Sequence, residues 1–388
     1  MRHYLKFVVV IRTFLIGITL FCMSSAIANA QVTVTPTPGI ETGSDSSRNA
    51  IFNVEWSPDG RLLLSITFGG KIQVWNRQNE IVSEFELDVL NNLTLAGWAQ
   101  DSEHLQVILP PYTTLQFRDL QGNVKSTIDD IVIPGFSTSP IISLAWSPDR
   151  YMLAIAHKSG TIQLWDNRTK QSLSLIGHSD LVYSLAWSPD GRLLASGSED
   201  KTVKIWNSRG QLISTLTKHM APVLGVQWSY DGEFLLSSSP LIPFFDKTLG
   251  GNGTIILWHS DGMFVAQIDK GQIRSAHWQP TRDIVITANG VGPAIRFWNI
   301  NGEFVDALKI NAPIRSLSWS PDGNNLAFGA IGISIYTANG KTQLSQRTFP
   351  DTPSPIRIMA WSPDSKYLAL GTELGQVKIW QINLTEIF

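Results

Sequence analysis

The sequence predicts an all-β fold, a closed β-propeller of four-stranded antiparallel blades, on three observations. All fourteen tryptophans fall at two positions of a recurring segment. The two positions are 19 residues apart in five of the eight copies, as from Trp187 to Trp206. Each copy divides into four short strands within about forty residues, which is the size of one propeller blade. Eight copies predict eight blades, with seven blades plus a divergent unit as the alternative.

The most complete copy, residues 187–207 with their flanks, shows how the strands are assigned. Alternating apolar residues from Leu181 onward predict a first strand that ends near Trp187. The next four residues, Ser-Pro-Asp-Gly at 188–191, are those that a type I turn favours. Polar turns separate three further predicted strands, at 193–196, 202–206 and 212–216.

The two tryptophan positions are expected to supply most of the packing. The first position holds Trp56, Trp98, Trp146, Trp187, Trp228, Trp278, Trp319 and Trp361. The second holds Trp75, Trp165, Trp206, Trp258, Trp298 and Trp380, with Phe117 and Tyr336 as substitutes. A buried tryptophan covers about 150–250 Å². At about 25 cal/mol per Å², this is roughly 4–6 kcal/mol before the entropy cost.

Length and charge narrow the class of protein. The chain has 388 residues, and the copies run from about residue 51 to 388, which favours one propeller domain. The formal net charge of -2 argues against a nucleic-acid binder, which would carry a basic patch or stripe. The only cysteine is Cys22, so the chain beyond residue 30 can form no disulfide and no thiolate metal site.

Residues 1–30 have the pattern of a secretory signal peptide. Three basic residues, Arg2, Lys6 and Arg12, precede a short apolar core, Phe14 to Met23, and Ala28-Asn29-Ala30 matches the small-residue cleavage pattern. An apolar core of about ten residues is too short to span a bilayer. We therefore expect a secreted or periplasmic protein without a membrane span after cleavage, with an uncleaved N-terminal anchor as the alternative.

Residues 31–50 are rich in Thr, Pro, Ser and Gly, which is typical of a flexible linker. A second interpretation makes Gln31 to Thr35 the outer strand of the last blade, since the copy that ends at Phe388 stops about where its fourth strand would begin. Such a strand would close the ring and remove an exposed edge.

These segments resemble the WD40 repeat family over roughly residues 51–388. Gly177-His178, Ser196 or Ser198, Asp200 and Trp206 match the hydrogen-bonded tetrad of that family. The resemblance implies a structural role for this tetrad, which would link turns to strands. His219 is the equivalent candidate in blade 5, and the other copies lack the histidine, so packing is expected to dominate there.

The Ser-Pro-Asp-Gly turns also resemble the repeats of TolB-type periplasmic propellers. Either resemblance implies a monomeric scaffold that binds a protein or peptide and carries out no chemistry. The sequence itself suggests no catalytic residue, cofactor or metal site. In six copies a Ser-x-Asp segment directly follows the first tryptophan, and each of its aspartates is expected to form its own turn: Asp59, Asp149, Asp190, Asp231, Asp322 and Asp364.

Departures from the common segment are the candidates for partner binding. Blade 5 contains an insertion, Pro240 to Asn252, whose apolar residues include Pro243, Phe244 and Phe245. Tyr112 and Phe136 lie in other inter-strand or inter-blade loops, which propeller topology places on the same face. An exposed aromatic patch is what a protein partner needs. The alternative function is an enzyme or small-ligand binder with its site at the mouth of the central channel.

Overall fold

The computed structural model describes residues 31–33, 48–87, 95–99, 101–109, 114–128, 141–149, 151–169, 171–239, 253–271, 273–289, 295–310, 314, 316–329, 333–337, 346–349 and 356–382. These residues form eight antiparallel sheets, one for each copy of the recurring segment. The eight-bladed propeller predicted from the sequence is confirmed.

The first four blades follow a short N-terminal strand. Strand β1 is Gln31–Thr33. Blade 1 contains β2 Ile51–Trp56, β3 Leu62–Thr67, β4 Lys71–Asn76 and β5 Ile81–Glu86. Blade 2 contains β6 Leu95–Trp98, β7 His104–Leu109, β8 Thr114–Asp119 and β9 Val124–Ile128. Blade 3 contains β10 Ile141–Trp146, β11 Met152–His157, β12 Ile162–Asp166 and β13 Gln171–Leu175. Blade 4 contains β14 Val182–Trp187, β15 Leu193–Ser198, β16 Val203–Asn207 and β17 Leu212–Leu216.

The second half of the ring repeats this order. Blade 5 contains β18 Gly225–Trp228, β19 Phe234–Ser239, β20 Gly253–His259 and β21 Phe264–Gly271. Blade 6 contains β22 Ile273–Trp278, β23 Ile284–Asn289, β24 Ile295–Asn299 and β25 Phe304–Leu308. Blade 7 contains β26 Ser316–Trp319, β27 Asn325–Gly329, β28 Ile333–Thr337 and β29 Gln346–Phe349. Blade 8 contains β30 Ile356–Trp361, β31 Tyr367–Thr372 and β32 Val377–Gln381.

Within each blade the strands pair in chain order, so the first strand is innermost and the fourth outermost. In blade 4 every residue of the innermost strand, β14, is buried, whereas the outermost strand, β17, is mostly exposed. Burial on both faces explains the apolar inner strands, and exposure explains the polar outer ones.

The hydrophobic core lies between neighbouring blades. One cluster joins Ala154 and Leu164 of blade 3 to Leu185 and Trp187 of blade 4. Each sheet therefore buries its faces against the next sheet, and a blade has no separate core. This dependence on neighbours is general in repeat proteins.

In six of the eight blades the first tryptophan also makes a hydrogen bond to the blade before it, the exceptions among the described residues being Trp146 and Trp319. Trp187 Nε1 donates to the carbonyl oxygen of Ala145 at 3.0 Å, and Trp228 Nε1 donates to that of Ala186 at 3.0 Å. The accepting residue comes directly before the first tryptophan of the preceding blade. The same bond occurs between Trp98 and Glu55, Trp278 and Gln227, and Trp361 and Ser318.

The bond between blades 1 and 8 completes the ring. Trp56 Nε1 donates to the carbonyl oxygen of Ala360 at 3.0 Å, across 304 positions of sequence. Around it, Ile51 packs in one cluster with Ile358 and Ile379. The first and last blades are thus joined in the same way as sequential neighbours.

The N-terminal strand does not lie where the sequence suggested. Residues 31–35 were expected at the outer edge of the last blade, but β1 pairs with β10, the innermost strand of blade 3, with Gln31 opposite Ala145. The prediction of a closing outer strand is therefore wrong for this segment. The edge of β10 that faces the channel is open to pairing, whereas the outer edge of β32 is already engaged at Ile379 by a side chain of blade 1. Residues 1–30 and 34–47 lie outside the described residues.

We predict that Trp56→Phe lowers the free energy of unfolding by more than Trp146→Phe. Both side chains are buried, at 6% and 4% exposure. The Trp56 indole bonds Ala360, whereas that of Trp146 has no hydrogen-bond partner among the described residues. Leaving a buried carbonyl unsatisfied costs about 1–3 kcal/mol.

Denaturant titration of the two variants measures the difference directly. The loss of apolar area is the same in both, so Trp146→Phe serves as the matched control. Equal losses of stability would show that the indole hydrogen bond contributes nothing beyond packing.

Candidate functional site

The blade 4 tetrad is assembled in the structure. His178 Nδ1 lies 2.8 Å from Asp200 Oδ2, and His178 Nε2 lies 2.8 Å from Ser196 Oγ. Because a carboxylate only accepts, Nδ1 carries the proton, and Nε2 accepts from the serine hydroxyl. Trp206 Nε1 donates to the same Ser196 oxygen at 2.9 Å. The chain of bonds links the loop before the blade to its second and third strands.

Ser198, the alternative tetrad serine, bonds the backbone of the entering loop instead of the histidine. Its hydroxyl lies 3.0 Å from the carbonyl oxygen of Asp180 and 2.9 Å from that of Leu181. It therefore holds the loop that enters blade 4, and Ser196 is the member of the tetrad. Burial by itself would raise the pKa of Asp200, but the hydrogen bonds from His178 and Thr202 outweigh burial and hold that pKa well below its usual value.

Blade 5 has a tetrad without a carboxylate. His219 Nε2 lies 2.7 Å from Ser237 Oγ, and Trp258 Nε1 donates to Ser237 Oγ at 2.7 Å. The place of the aspartate is taken by Thr254, whose hydroxyl is 2.9 Å from His219 Nδ1. With no charged partner here, burial lowers the pKa of His219 to about 4.

Two further blades keep only the tryptophan half of this arrangement. Trp75 Nε1 donates to Ser65 Oγ at 2.8 Å in blade 1, and Trp298 Nε1 donates to Thr287 Oγ1 at 3.0 Å in blade 6. Neither hydroxyl was predicted from the sequence, because these two blades lack the histidine that marks the tetrad. The available signal was a serine or threonine ten or eleven residues before the second tryptophan.

The recurring aspartates form turns, as predicted. In blade 4 the Ser188 hydroxyl donates to Asp190 Oδ1 at 2.6 Å, and the Arg192 N–H donates to the same oxygen at 3.0 Å. Asp59, Asp149, Asp231, Asp322 and Asp364 each accept the same serine bond at 2.5–2.6 Å. Burial alone would raise the pKa of Asp190, but these bonds lower it. Each carboxylate serves the turn of its own blade.

One face of the propeller, here termed the loop face, carries both the second-to-third-strand turns and the connections between blades. A Cβ at Gly160, in the turn between β11 and β12, would lie 2.7 Å from the carbonyl oxygen of Asp180. Asp180 belongs to the connection into blade 4. The N–H of Val223, in the connection into blade 5, donates to the carbonyl oxygen of Ser198 at 2.9 Å. The topology assumed in locating the candidate loops is therefore present.

Three large apolar side chains stand out from the loop face. Met220 is 81% exposed, Ile176 is 76% exposed and Leu374 is 61% exposed. Ile176 and Met220 lie in the connections into blades 4 and 5, and Leu374 lies in the turn between β31 and β32. The sequence analysis did not select them, because single apolar residues in polar loops have no distinguishing pattern.

The partner-binding residues predicted from the sequence are not among the described ones. Tyr112, Phe136, Pro243, Phe244 and Phe245 all lie outside the described residues. The segment that contains the last three joins β19 to β20, so it is a connection of the second-to-third-strand type. Its role in partner binding stays a prediction.

A tyrosine–carboxyl pair lies beside the loop face in blade 4. The Tyr183 hydroxyl donates to Glu199 Oε2, in the turn between β15 and β16. Burial raises the pKa of Tyr183, and the Glu199 charge raises it further. Burial also raises the pKa of Glu199. The pair ties the innermost strand to the turn, which makes it a support for this face.

Two inner-strand residues carry strongly shifted pKa values. Burial raises the pKa of Glu55 to about 8, although its carboxylate accepts from the backbone N–H of Trp98. Burial lowers the pKa of His277 to about 4. They lie at the same position of blades 1 and 6, directly before the first tryptophan. Gln227 holds that position in blade 5, and its Oε1 accepts from the N–H of Trp278 at 3.3 Å.

In blades 1 and 5 the side chain before the first tryptophan therefore accepts from the backbone N–H of the first tryptophan of the next blade. Within the described ranges, no three histidine, cysteine or acidic side chains come together as a metal site. The same ranges contain no helix that is long and apolar enough to cross a bilayer. A site at the mouth of the channel stays a prediction.

Comparisons with known proteins agree with this architecture. A family model described as WDR19 first beta-propeller matches residues 52–231. A second, described as WD domain, G-beta repeat, matches residues 210–259 and 344–381. No curated protein sequence matches the chain.

Solved structures match over most of the chain. The crystal structure of the C-terminal WD40 domain of Sif2 is 17% identical, with a TM-score of 0.65, over 86% of this chain and 96% of that one. A chain from the crystal structure of the mitotic checkpoint complex is 18% identical, with a TM-score of 0.53, over 89% of this chain and 96% of that one. At these identities the likeness shows the fold alone.

We predict that acid weakens the propeller between pH 6.5 and 4.5, and that His219→Gln reduces this loss. The unfolded chain protonates a histidine near pH 6.5, whereas the folded protein keeps His219 neutral down to about pH 4. Stability is therefore full above pH 6.5 and falls as the pH drops below that value. From this residue alone the loss by pH 4.5 is about 2–3 kcal/mol.

Denaturant titrations at pH 7.5 and 4.5 measure how much free energy of unfolding wild type and His219→Gln each lose between the two pH values. His104→Gln is the control, because His104 is half-buried at the surface and pairs with Asp101 at 2.7 Å. An identical pH dependence in wild type and His219→Gln would contradict the assignment.

Proposed function

We propose that this chain, which belongs to the WD40 repeat β-propeller family, is a non-catalytic scaffold that binds a protein or peptide outside the cytoplasm. Propellers of this family are in general protein-interaction scaffolds without enzymatic activity. Membership of the family implies neither the extracytoplasmic location nor the position of the binding site. A separate observation supports each of these two parts of the proposal.

The observation that carries the proposal is the pair of exposed apolar side chains in adjacent blades of the loop face. Met220 and Ile176 are 81% and 76% exposed, more than the other large apolar residues of the described chain. Burying a side chain of this size stabilises a complex by roughly 1.5–3 kcal/mol. Neither side chain contributes to the hydrophobic core of the propeller. Their apolar surface is therefore free to be buried by a partner, and this burial would stabilise the complex.

Both residues lie within two positions of a histidine that is held by a hydrogen-bonded tetrad. Met220 comes after His219, which is held in the blade 5 tetrad, and Ile176 comes two residues before His178, which is held in the blade 4 tetrad. The tetrads therefore present the two apolar side chains from anchored loops. Little conformational entropy remains to be lost on binding, which favours affinity.

The blade 5 insertion extends the proposed site. Residues 240–252 connect β19 to β20, and Ser239, the last residue of β19, donates its hydroxyl to the carbonyl oxygen of Pro222 at 2.7 Å, in the connection that carries Met220. Phe244 and Phe245 would add aromatic area, and aromatic residues dominate the energetics of protein interfaces. The proposed site thus combines Ile176, Met220 and the insertion.

The location outside the cytoplasm is supported by the sequence of residues 1–30. The basic start, the short apolar core and the Ala28-Asn29-Ala30 pattern match a cleaved signal peptide. Since Cys22 is the only cysteine, the remaining chain has no thiol that an oxidising compartment could modify. A hydrogen-bonded, tryptophan-packed propeller needs no disulfide there.

We predict that Met220→Asp weakens binding of the partner by at least about tenfold, which is the typical loss for an interface anchor. A charge at this exposed position leaves the fold intact but opposes burial. Met263→Asp is the matched control, since Met263 is 61% exposed on a third-to-fourth-strand turn of the opposite face.

The partner is first identified by photo-crosslinking from position 220 in the extracytoplasmic fraction of the host. Affinities of the purified partner for wild type, Met220→Asp, Met263→Asp and a Phe244→Ser, Phe245→Ser double variant then separate the two parts of the site. Equal losses for Met220→Asp and Met263→Asp would remove the loop face from the proposal.

We predict that the protein exported by its host begins at Gln31. Cleavage after Ala30 removes the basic start and the apolar core together. Intact-mass measurement and N-terminal sequencing of the protein from the extracytoplasmic fraction test this. Recovery of the full-length chain from membranes would instead support the uncleaved anchor.

A further inference from the structure

Five blades have a described left-handed residue in the turn between the third and fourth strands, and in blade 1 this residue is not a glycine. Blades 2, 4, 5 and 6 place a glycine there with φ between +78° and +92°, namely Gly122, Gly210, Gly262 and Gly302. Blade 1 places Asn79 there, with φ +64°. In each turn the N–H of this residue donates three positions back, as from Asn79 to the carbonyl of Asn76 at 3.2 Å. A left-handed conformation is costly for residues other than glycine, and least so for Asn and Asp.

These four positions require glycine because of their positive φ and also because a neighbouring blade leaves no room for a Cβ atom. A Cβ at Gly122 would lie 2.9 Å from the ring of Phe85, and at the other three glycines it would lie even closer to a neighbour. The neighbours all belong to the outer strand of the preceding blade, such as Leu173 for Gly210 and Ala266 for Gly302. In these four blades a side chain at this position is therefore excluded by the outer strand of the preceding blade.

Asn79 faces blade 8, whose sheet ends at β32 among the described residues. Its Nδ2 donates to the carbonyl oxygen of Ile379 at 3.0 Å, and its Oδ1 accepts from the N–H of Ile379 at 2.7 Å. Ile379 comes directly before the second tryptophan of its blade. At the same position of blade 4, Ile205 is opposite Ser214 of the outer strand.

The rest of the turn holds Asn79 in place. Asn76 Oδ1 accepts from the N–H groups of Gln78 and Glu80, at 2.9 and 3.0 Å. Arg77 reaches into blade 8, where its guanidinium lies 3.0 Å from Asp364 and 4.6 Å from the ring centroid of Tyr367. Residues 76–80 are therefore a preformed contact between the first and last blades.

We propose that the side chain of Asn79 closes the ring by taking the place of an outer strand at Ile379. Its amide supplies one donor and one acceptor, which are the two groups that a paired strand residue supplies. While it is in place, no strand from this chain or from another can pair with β32 at that residue. The same contact protects an open sheet edge from edge-to-edge association.

Asn79→Gly separates this proposal from a purely conformational role. Glycine is the residue of the other blades and relieves the left-handed φ, so backbone preference alone predicts an unchanged or higher Tm. The proposal predicts a Tm lower by about 2–4 °C and amide exchange at Ile379 faster by on the order of tenfold. Gln78→Gly is the control, since it alters the same turn at an exposed side chain.

Asn79→Asp tests the hydrogen bonds themselves. Aspartate keeps the shape and the acceptor for the Ile379 N–H, but its carboxylate faces the Ile379 carbonyl without a proton to donate. The Tm deficit relative to wild type is expected to shrink as the pH falls from 7 towards 4, where the carboxyl group begins to regain its proton. A pH-independent deficit, or unchanged Tm and Ile379 exchange in Asn79→Gly, overturns the proposal.

Discussion

The hydrogen bond from the first tryptophan of one blade to the inner-strand carbonyl of the blade before it is the interaction on which the rest of the ring depends. It fixes the distance and the rotation between neighbouring sheets, because the indole ring packs in the inter-blade core while its nitrogen reaches one defined oxygen. The bond from Trp56 to Ala360 repeats this geometry across the whole chain. Six of the eight blade contacts contain this bond, and at the other two, where the indole nitrogens of Trp146 and Trp319 have no partner among the described residues, packing of the buried tryptophan maintains the contact.

The tetrads act on a smaller scale than these contacts. Blade 4 has the complete set, blade 5 replaces Asp200 by Thr254, and blades 1 and 6 keep only a tryptophan–hydroxyl bond. The ring tolerates this loss because a buried tryptophan contributes several kcal/mol, against about 1 kcal/mol for a hydrogen bond. The two tetrads that contain a histidine lie in the blades whose connecting loops carry Ile176 and Met220. Rigid loops and exposed apolar residues therefore coincide.

The contact between blades 1 and 8 shows how a repeat protein adapts where its repeat is interrupted. In blades 2, 4, 5 and 6 the turn between the third and fourth strands contains a glycine, whereas blade 1 has Asn79 there. The Asn79 side-chain amide bonds both the N–H and the carbonyl oxygen of Ile379. Arg77 and Asp364 add an ion pair at the same junction. Specialised residues are thus found where neighbouring sheets differ from the common pattern.

The sequence by itself determined the strand order and the turn role of the recurring aspartates, because these follow from local spacing within each copy, and it predicted eight blades with seven as the alternative. It also identified His178, Asp200 and Trp206, whose spacing is a property of one blade. It could not choose between Ser196 and Ser198, since both lie on β15 and only the packed blade shows which hydroxyl meets the histidine. The location of β1 beside blade 3, the exposure of Met220 and the pairing of Asn79 with Ile379 depended on contacts between residues far apart in the chain. Only the tertiary structure decided them, because hydrogen bonds and burial between blades leave no periodic trace in the sequence.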